Sequence, residues 1–248
     1  MNPVRRTTLA TALLICAAVF AQAPAVQHVE AAKTGYYTAS APPDLFGILP
    51  PPPAEHSDAT KAELARLHQI EQDRTPAQVA AAQKDDKEED IFYLRSVMGK
   101  GFTPDNLPLL AALSDRVESE ASAASGVLKG EFKRPRPYQL DRTLHPVCAT
   151  VTAPDSYPSG HSILGYLEAL TLIRIVPEKS REILERADDY AHNRMVCGVH
   201  YPSDIAGSRE AAYLLFGYLM AQHRFQNDLA AARAETRKRL GLDESMAH

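Results

Sequence analysis

Tyr157-Pro158-Ser159-Gly160-His161-Ser162-Ile163-Leu164-Gly165-Tyr166-Leu167-Glu168-Ala169-Leu170-Thr171-Leu172-Ile173-Arg174-Ile175 passes from a turn-forming pentapeptide into a run that is apolar nearly throughout. A helix apolar on every side has to be covered on every side, so 162–175 is read as the buried helix of a bundle. Downstream, Pro177-Glu178-Lys179 opens a helix with Ile183, Leu184, Ala187 and Tyr190 on one side. Tyr201-Pro202-Ser203-Asp204 opens another through Ala206, Ala211, Leu214, Leu215 and Leu219, and a charged helix over 227–240 closes the series. Upstream, Thr103-Pro104-Asp105 is expected to start a helix through Leu107, Leu110, Leu113, Val117 and Ala121 to about Leu128. A short helix precedes it over 90–98. Leu64, Leu67 and Ile70 share one face of a helix over 58–87, broken at Thr75-Pro76, where Thr75 caps and Pro76 takes the first helical position. The stretch 134–157 lacks periodicity and is expected to be a long loop, a length usually kept for function. No alternating run of convincing length, no Trp and no internal repeat is present. The fold class is all-α, a single-domain helical bundle with an irregular N-terminal arm.

The first residues set a compartment. Arg5 and Arg6 precede an uncharged apolar run over 9–20, followed by Ala21-Gln22-Ala23 and Ala23-Pro24-Ala25. This is the pattern of a secretory signal peptide, assigned to 1–25. The run is shorter than the roughly 20 apolar residues of a spanning helix, so no stable membrane association is expected after cleavage. Residues 26–57 form a Pro-rich extended arm that includes Pro50-Pro51-Pro52-Pro53, and 58–248 the all-α domain. The 248-residue chain has a formal charge of −4. Removing Arg5 and Arg6 with the leader leaves 25 cations against 31 carboxylates, or −6. An acidic chain without a basic stripe is a poor nucleic-acid binder. The expected location is periplasmic or secreted. There, the two cysteines that remain, Cys148 and Cys197, are expected to bridge, with two separate buried thiols as the alternative.

Three short blocks carry chemistry. In Pro158-Ser159-Gly160-His161, Gly160 permits close backbone approach, a helix start offers N–H groups to an anion, and His161 can move a proton there. Taken alone, the block reads equally as an ordinary cap with a surface histidine. His200 and Asp204 stand four apart at a helix start, where the carboxylate can hold one imidazole nitrogen and leave the other as base or nucleophile. Taken alone, Asp204 is as well explained as a simple cap. Lys129, Lys133, Arg134 and Arg136 crowd one stretch, and Arg194 precedes His200 by six. Lys133 is expected to be solvated. Arg136, between Pro135 and Pro137, is the better prepared to hold a phosphate, which its planar fork matches.

The order Lys129-x6-Arg136-Pro137, Pro158-Ser159-Gly160-His161, Arg194-x5-His200-x3-Asp204 resembles the three-part signature of the type 2 phosphatidic-acid phosphatase superfamily. That superfamily holds bacterial class A non-specific acid phosphatases, membrane lipid phosphatases and vanadium haloperoxidases. The Leu49-Pro50-Pro51-Pro52-Pro53 arm and the Cys197-Gly198-x-His200 context look like the class A acid phosphatases. The resemblance implies an exported acid phosphatase acting on small-molecule phosphomonoesters without metal or other cofactor. It implies His200 as the nucleophile forming a phosphohistidine, Asp204 as its orienting partner and His161 as general acid. Lys129, Arg136, Ser159, Gly160 and Arg194 would be the phosphate cradle. The resemblance also admits a vanadate-dependent haloperoxidase, a membrane lipid phosphatase, or a phosphotransferase using an alcohol acceptor. A phosphate- or metal-binding protein without turnover, using His192, His200 and Asp204, is the reading from another class. Homo-oligomerisation is left open. Asn193 stands where the family usually has Ser, and the leaving-group pocket is expected to draw on 138–157 and the helix near 90–105.

Overall fold

A computed structural model describes residues 34–38 and 45–242. The leader assigned to 1–25 lies outside the described residues. The elements are α1 (Leu45–Ile48), α2 (Asp58–Asp73), α3 (Pro76–Asp85), a 3-10 turn (Ile91–Leu94), α4 (Arg95–Met98), α5 (Pro108–Phe132), α6 (Pro137–Leu140), α7 (Gly160–Ile175), a second 3-10 turn (Pro177–Lys179), α8 (Ser180–Val196), α9 (Pro202–Met220) and α10 (His223–Leu240). Every regular element described is helical, so the fold is all-α.

Helix α7 is the axis of the bundle. It packs against α5, α8, α9 and α10, and Ile163, Leu167, Leu172 and Ile175 are fully enclosed. Burying each such side chain contributes about 1.5–3 kcal/mol. The breaks fall where local chemistry puts them. Thr75 and Gln78 form the reciprocal cap of α3, with Pro76 in its first turn. Helix α5 starts later than expected, at Pro108 rather than Thr103. A residue before proline is pushed away from helical angles, and Leu107 sits at φ −130°, ψ 61°. Residues 103–107 instead close a turn through the Asn106 and Leu107 N–H groups on the Thr103 carbonyl. The first N–H groups of α5, at Leu109 and Leu110, donate to Glu235 of α10, a carboxylate suited to a helix N-terminus.

Two expected irregular segments hold single helical turns, α1 in the arm and α6 in the 134–157 loop. The arm is tied down at Leu49, which is buried, and at Pro50, whose carbonyl accepts from the Tyr157 hydroxyl at 2.7 Å. Cys148 and Cys197 form a disulfide with Cα atoms 5.2 Å apart, joining the loop before α7 to the end of α8. Its 49-residue separation corresponds to about 4 kcal/mol of loop-closure entropy.

One ionisable side chain is buried within the apolar axis. Glu168 of α7 is fully buried, and its Oε1 accepts from Ser114 Oγ at 2.7 Å. Ser114 Oγ in turn accepts from the Ile91 N–H. Burial pushes the Glu168 carboxyl well above its usual value near 4.5, against the smaller opposing effect of Ser114. The folded state therefore holds a proton that the unfolded chain releases, and this contribution to stability is lost as pH rises above the usual carboxylate range. Glu168→Gln keeps the shape and removes the titration. In urea melts it should match the parent near pH 4 and be the more stable of the two at pH 7.

Candidate active site

The three sequence blocks meet at one cavity of about 430 Å³, lined by Lys129, Arg136, Gly160, His161, Arg194 and His200 among others. Each comes from a different support. Lys129 stands near the end of α5, and Arg136 just before α6. Gly160 and His161 form the first turn of α7. Arg194 lies in the last turn of α8, and His200 just ahead of α9. Two close approaches need glycine. A Cβ on Gly160 would stand 3.1 Å from Ser125 Oγ and 3.9 Å from Lys129 Nζ, so its absence lets α7 start against α5. Gly198 turns the chain between Arg194 and His200 at φ +75°, a region that favours glycine.

His200 is 1 % exposed. Its Nε2 lies 3.2 Å from Arg136 Nη1 and its Nδ1 3.2 Å from Asp204 Oδ2. A guanidinium only donates, so Nε2 is the acceptor and carries a lone pair, while Nδ1–H donates to Asp204. Burial lowers the His200 pKa well below its ordinary value, and Arg136, Arg194 and Lys129 lower it further. Both effects favour the neutral imidazole, whose Nε2 lone pair faces Arg136.

Asp204 is fully buried. Beside His200, Oδ2 accepts from Ser156 Oγ at 2.6 Å and from the Tyr201 N–H at 2.9 Å, while Oδ1 accepts from Arg134 at 2.7 Å. Burial raises its pKa to about 6, against the pull of Arg134, Ser156 and the Tyr201 N–H. Arg134 lies 3.8 Å over the Tyr201 ring and also reaches Ser203 and Glu63.

The cavity cations are held in place by carboxylates. Arg194 Nη1 pairs with Asp86, and its Nε is buried without a partner. Arg136 Nε meets Asp155 at 2.8 Å, and Lys129 Nζ meets the same carboxylate at 3.4 Å. Burial works to raise both Asp86 and Asp155, but Arg194 in one case, and Arg136 with Lys129 in the other, outweigh it and hold both below the usual range. Burial lowers the Lys129 pKa, opposed by Asp155. His161 Nε2 stands 3.0 Å from Glu89 and 3.3 Å from the Asp86 carbonyl. The hydrogen bond from His161 holds Glu89 below its usual range.

Of the residues picked from sequence, Ser159 is fully buried. It is the N-cap of α7, its Oγ accepting from the Ser162 N–H and hydroxyl, and it is absent from the cavity lining. Its own O–H is used by neither bond. Asn193 donates to Asp85 at 2.8 Å, which also holds Arg186, so it anchors α3 rather than facing the cavity. His192 lines other hollows, with Asp189, and does not group with His200. Lys133 is exposed in a left-handed C-cap. The segment near 90–105 does not line the cavity, because Ile91, Phe92, Tyr93 and Leu94 are buried in the core. Asp86, Glu89 and the α5 residues Glu118, Ser122 and Ser125 line it instead, together with Ala149 and Val151 of the expected loop. Sequence reading missed Asp86, Glu89, Glu118, Arg134, Asp155 and Ser156. Only Arg134 carried a signal, as part of the cation cluster.

An all-α bundle that brings two histidines and three cations to one cavity, with a buried carboxylate behind one histidine, is suited to handling an anion such as phosphate. Residues 116–228 match the PAP2 superfamily. Over 90 % of this chain and 94 % of the relative, the sequence is 28 % identical to a non-specific acid phosphatase of Providencia stuartii. It is 30 % identical to a non-specific acid phosphatase of Salmonella typhi, over 63 % of this chain and 64 % of that one. An acid phosphatase of Zymomonas mobilis subsp. mobilis is 33 % identical over 53 % and 51 %. Residues 116–228 thus carry a PAP2 superfamily domain, and the similarity to these acid phosphatases supports a phosphatase.

Removing Arg134 leaves Asp204 buried with no cation against it. Breaking a buried pair in this way costs about 3–5 kcal/mol. Arg134→Met should therefore lose stability on that scale in chemical denaturation. Arg134→Met combined with Asp204→Asn should lose less than the two single losses added together.

Proposed function

We propose that the protein is an exported acid phosphatase that hydrolyses phosphomonoesters through a phosphohistidine on His200, without a metal. The observation that carries this reading is the neutral His200, its Nδ1–H on Asp204 and its Nε2 facing the cavity cations. A phosphate dianion bound by Lys129, Arg136, Arg194 and the Gly160 N–H would present phosphorus to Nε2. As the N–P bond forms, the P–O bond to the alcohol breaks, and protonated His161 gives its proton to the leaving oxygen. Asp204 stabilises the positive imidazole that results. His161, now neutral, takes a proton from a water that attacks phosphorus. The N–P bond breaks, phosphate leaves and His200 is restored. Charge on the equatorial oxygens is met throughout by preorganised cations.

Support for the metal-free reading is the donor chemistry. Three basic side chains supply the positive charge a metal would bring. Among the described residues, the group with ligand spacing is Asp86 with Cys148 and Cys197, whose sulfurs are bonded to each other. Support for export is the Arg5-Arg6 leader pattern and the disulfide. No helix among the described residues is long and apolar enough to cross a membrane.

Hydrolysis of an aryl phosphate should survive EDTA, and loss of activity on chelation would overturn metal independence. Acid quenching with a labelled substrate should trap a phosphoenzyme in the parent and none in His200→Ala, whose kcat should fall by about three orders of magnitude or more. No trapped label in the parent would remove the covalent step.

A pH prediction follows from the depressed His200. Activity requires its neutral form and is lost as pH falls through its pKa. Burial and the nearby cations set that pKa low, so Arg136→Gln should relax it upward. The acid limb of kcat/KM, which reports the free enzyme, should move to higher pH, in addition to a higher KM.

A further inference from the structure

We propose that Glu118 makes this phosphatase select phosphomonoesters whose leaving alcohol carries a positive charge, an amino alcohol with its ammonium four to six carbons from the ester oxygen. This deepens the phosphatase reading and rests on it. The anionic end of the cavity is marked by Arg194, 4 % exposed, whose buried Nε has no partner. Lys129 Nζ and Ser125 Oγ lie at the same level, both within 4 Å of the Cβ position at Gly160. From Ser125 the lining continues along one face of α5 through Ser122 and Ala121 to Glu118. Seven residues separate Ser125 from Glu118, two helical turns, or about 10 Å at 1.5 Å per residue. The face of α5 is thus a ruler running from phosphate cations to a carboxylate.

Glu118 is partly buried in the cavity wall, and its carboxylate has no ion pair or hydrogen bond among the described residues. By contrast, Asp86 and Glu89, the other carboxylates of the lining, are spent on Arg194 and His161. Within the lining, Lys129, Arg136 and Arg194 are matched in number by Asp86, Glu89 and Glu118, and protonated His161 adds one positive charge, fewer than the two negative charges of a phosphate dianion. A bound phosphate dianion therefore leaves the cavity negative. A leaving group that brings an ammonium to Glu118 offsets that excess and gives the unpaired carboxylate a partner. A neutral alkyl chain does neither, and an anionic one meets repulsion. Four to six carbons place an ammonium roughly 7–10 Å from phosphorus, within reach of Glu118. Two carbons leave it short.

The test compares kcat/KM for 4-aminobutyl and 6-aminohexyl phosphate with butyl and hexyl phosphate at pH 6, with 2-aminoethyl phosphate as the short control and an aryl phosphate reporting turnover. The parent should favour the longer amino compounds about five- to tenfold, mainly through KM, and the preference should shrink as salt is raised. It should be weaker for the two-carbon compound. In Glu118→Gln the amino-to-alkyl ratio should fall toward one, whatever the absolute rates. In Glu118→Lys the preference should pass to ω-carboxyalkyl phosphates. Equal kcat/KM for amino and alkyl compounds in the parent, or an unchanged ratio in Glu118→Gln, overturns the selectivity while aryl phosphate turnover leaves the phosphatase reading standing. Failure to turn over the aryl phosphate as well would overturn both.

Discussion

The carboxylate of Asp204 is the point on which the site depends. It sits where water cannot reach and accepts from Arg134, Ser156, the Tyr201 N–H and His200. A buried carboxylate persists only with such partners. Its partners come from the segment after α5, the loop before α7 and the start of α9. Arg134 carries the connection on to Glu63 of α2. Satisfying one charge thus clamps four parts of the chain, and the clamp fixes which imidazole nitrogen faces the cavity.

Around that clamp, positive charge is concentrated and then restrained. Lys129, Arg136 and Arg194 converge from three elements, at a cost in mutual repulsion that Asp155 and Asp86 offset. The carboxylates also remove rotamer freedom from long side chains, so less entropy remains to be lost when an anion binds. The same cations keep His200 unprotonated. In the proposed mechanism, affinity for phosphate and readiness of the nucleophile therefore have a common electrostatic origin.

Much of this was legible in the chain. The all-α class followed from the apolar 162–175 run and the 3.6-residue patterns beside it. Thr75-Pro76 marked a real break, and Cys148 with Cys197 a real bridge. Lys129, Arg136, Gly160, His161, Arg194 and His200 were found because they sit in short blocks with fixed spacings near helix ends. Arg134 was harder to read, since a cluster of cations looks alike whether a member faces solvent, substrate or a buried acid. Lys133, Arg134 and Arg136, within four positions, meet three such fates. Asp86, Glu89, Glu118 and Asp155 belong to no motif, and ordinary surface acids have the same composition. The start of α5 was misplaced because Thr-Pro-Asp is a good cap in isolation, while Pro108 five residues from Thr103 decides where the helix can begin.

By itself, the sequence determined the helical class, the buried axis of the bundle and the short blocks that supply Lys129, Arg136, Gly160, His161, Arg194 and His200 to the cavity, because periodicity, capping and short-range spacing are properties of neighbours along the chain. The tertiary structure decided which nitrogen of His200 faces the cavity cations, which cations are restrained, that Arg134 serves Asp204, and that Glu118 stands without a partner among the described residues, two helical turns from the Ser125 level. Those outcomes depend on desolvation and on charges brought together from residues dozens of positions apart. Neither quantity exists until the helices pack.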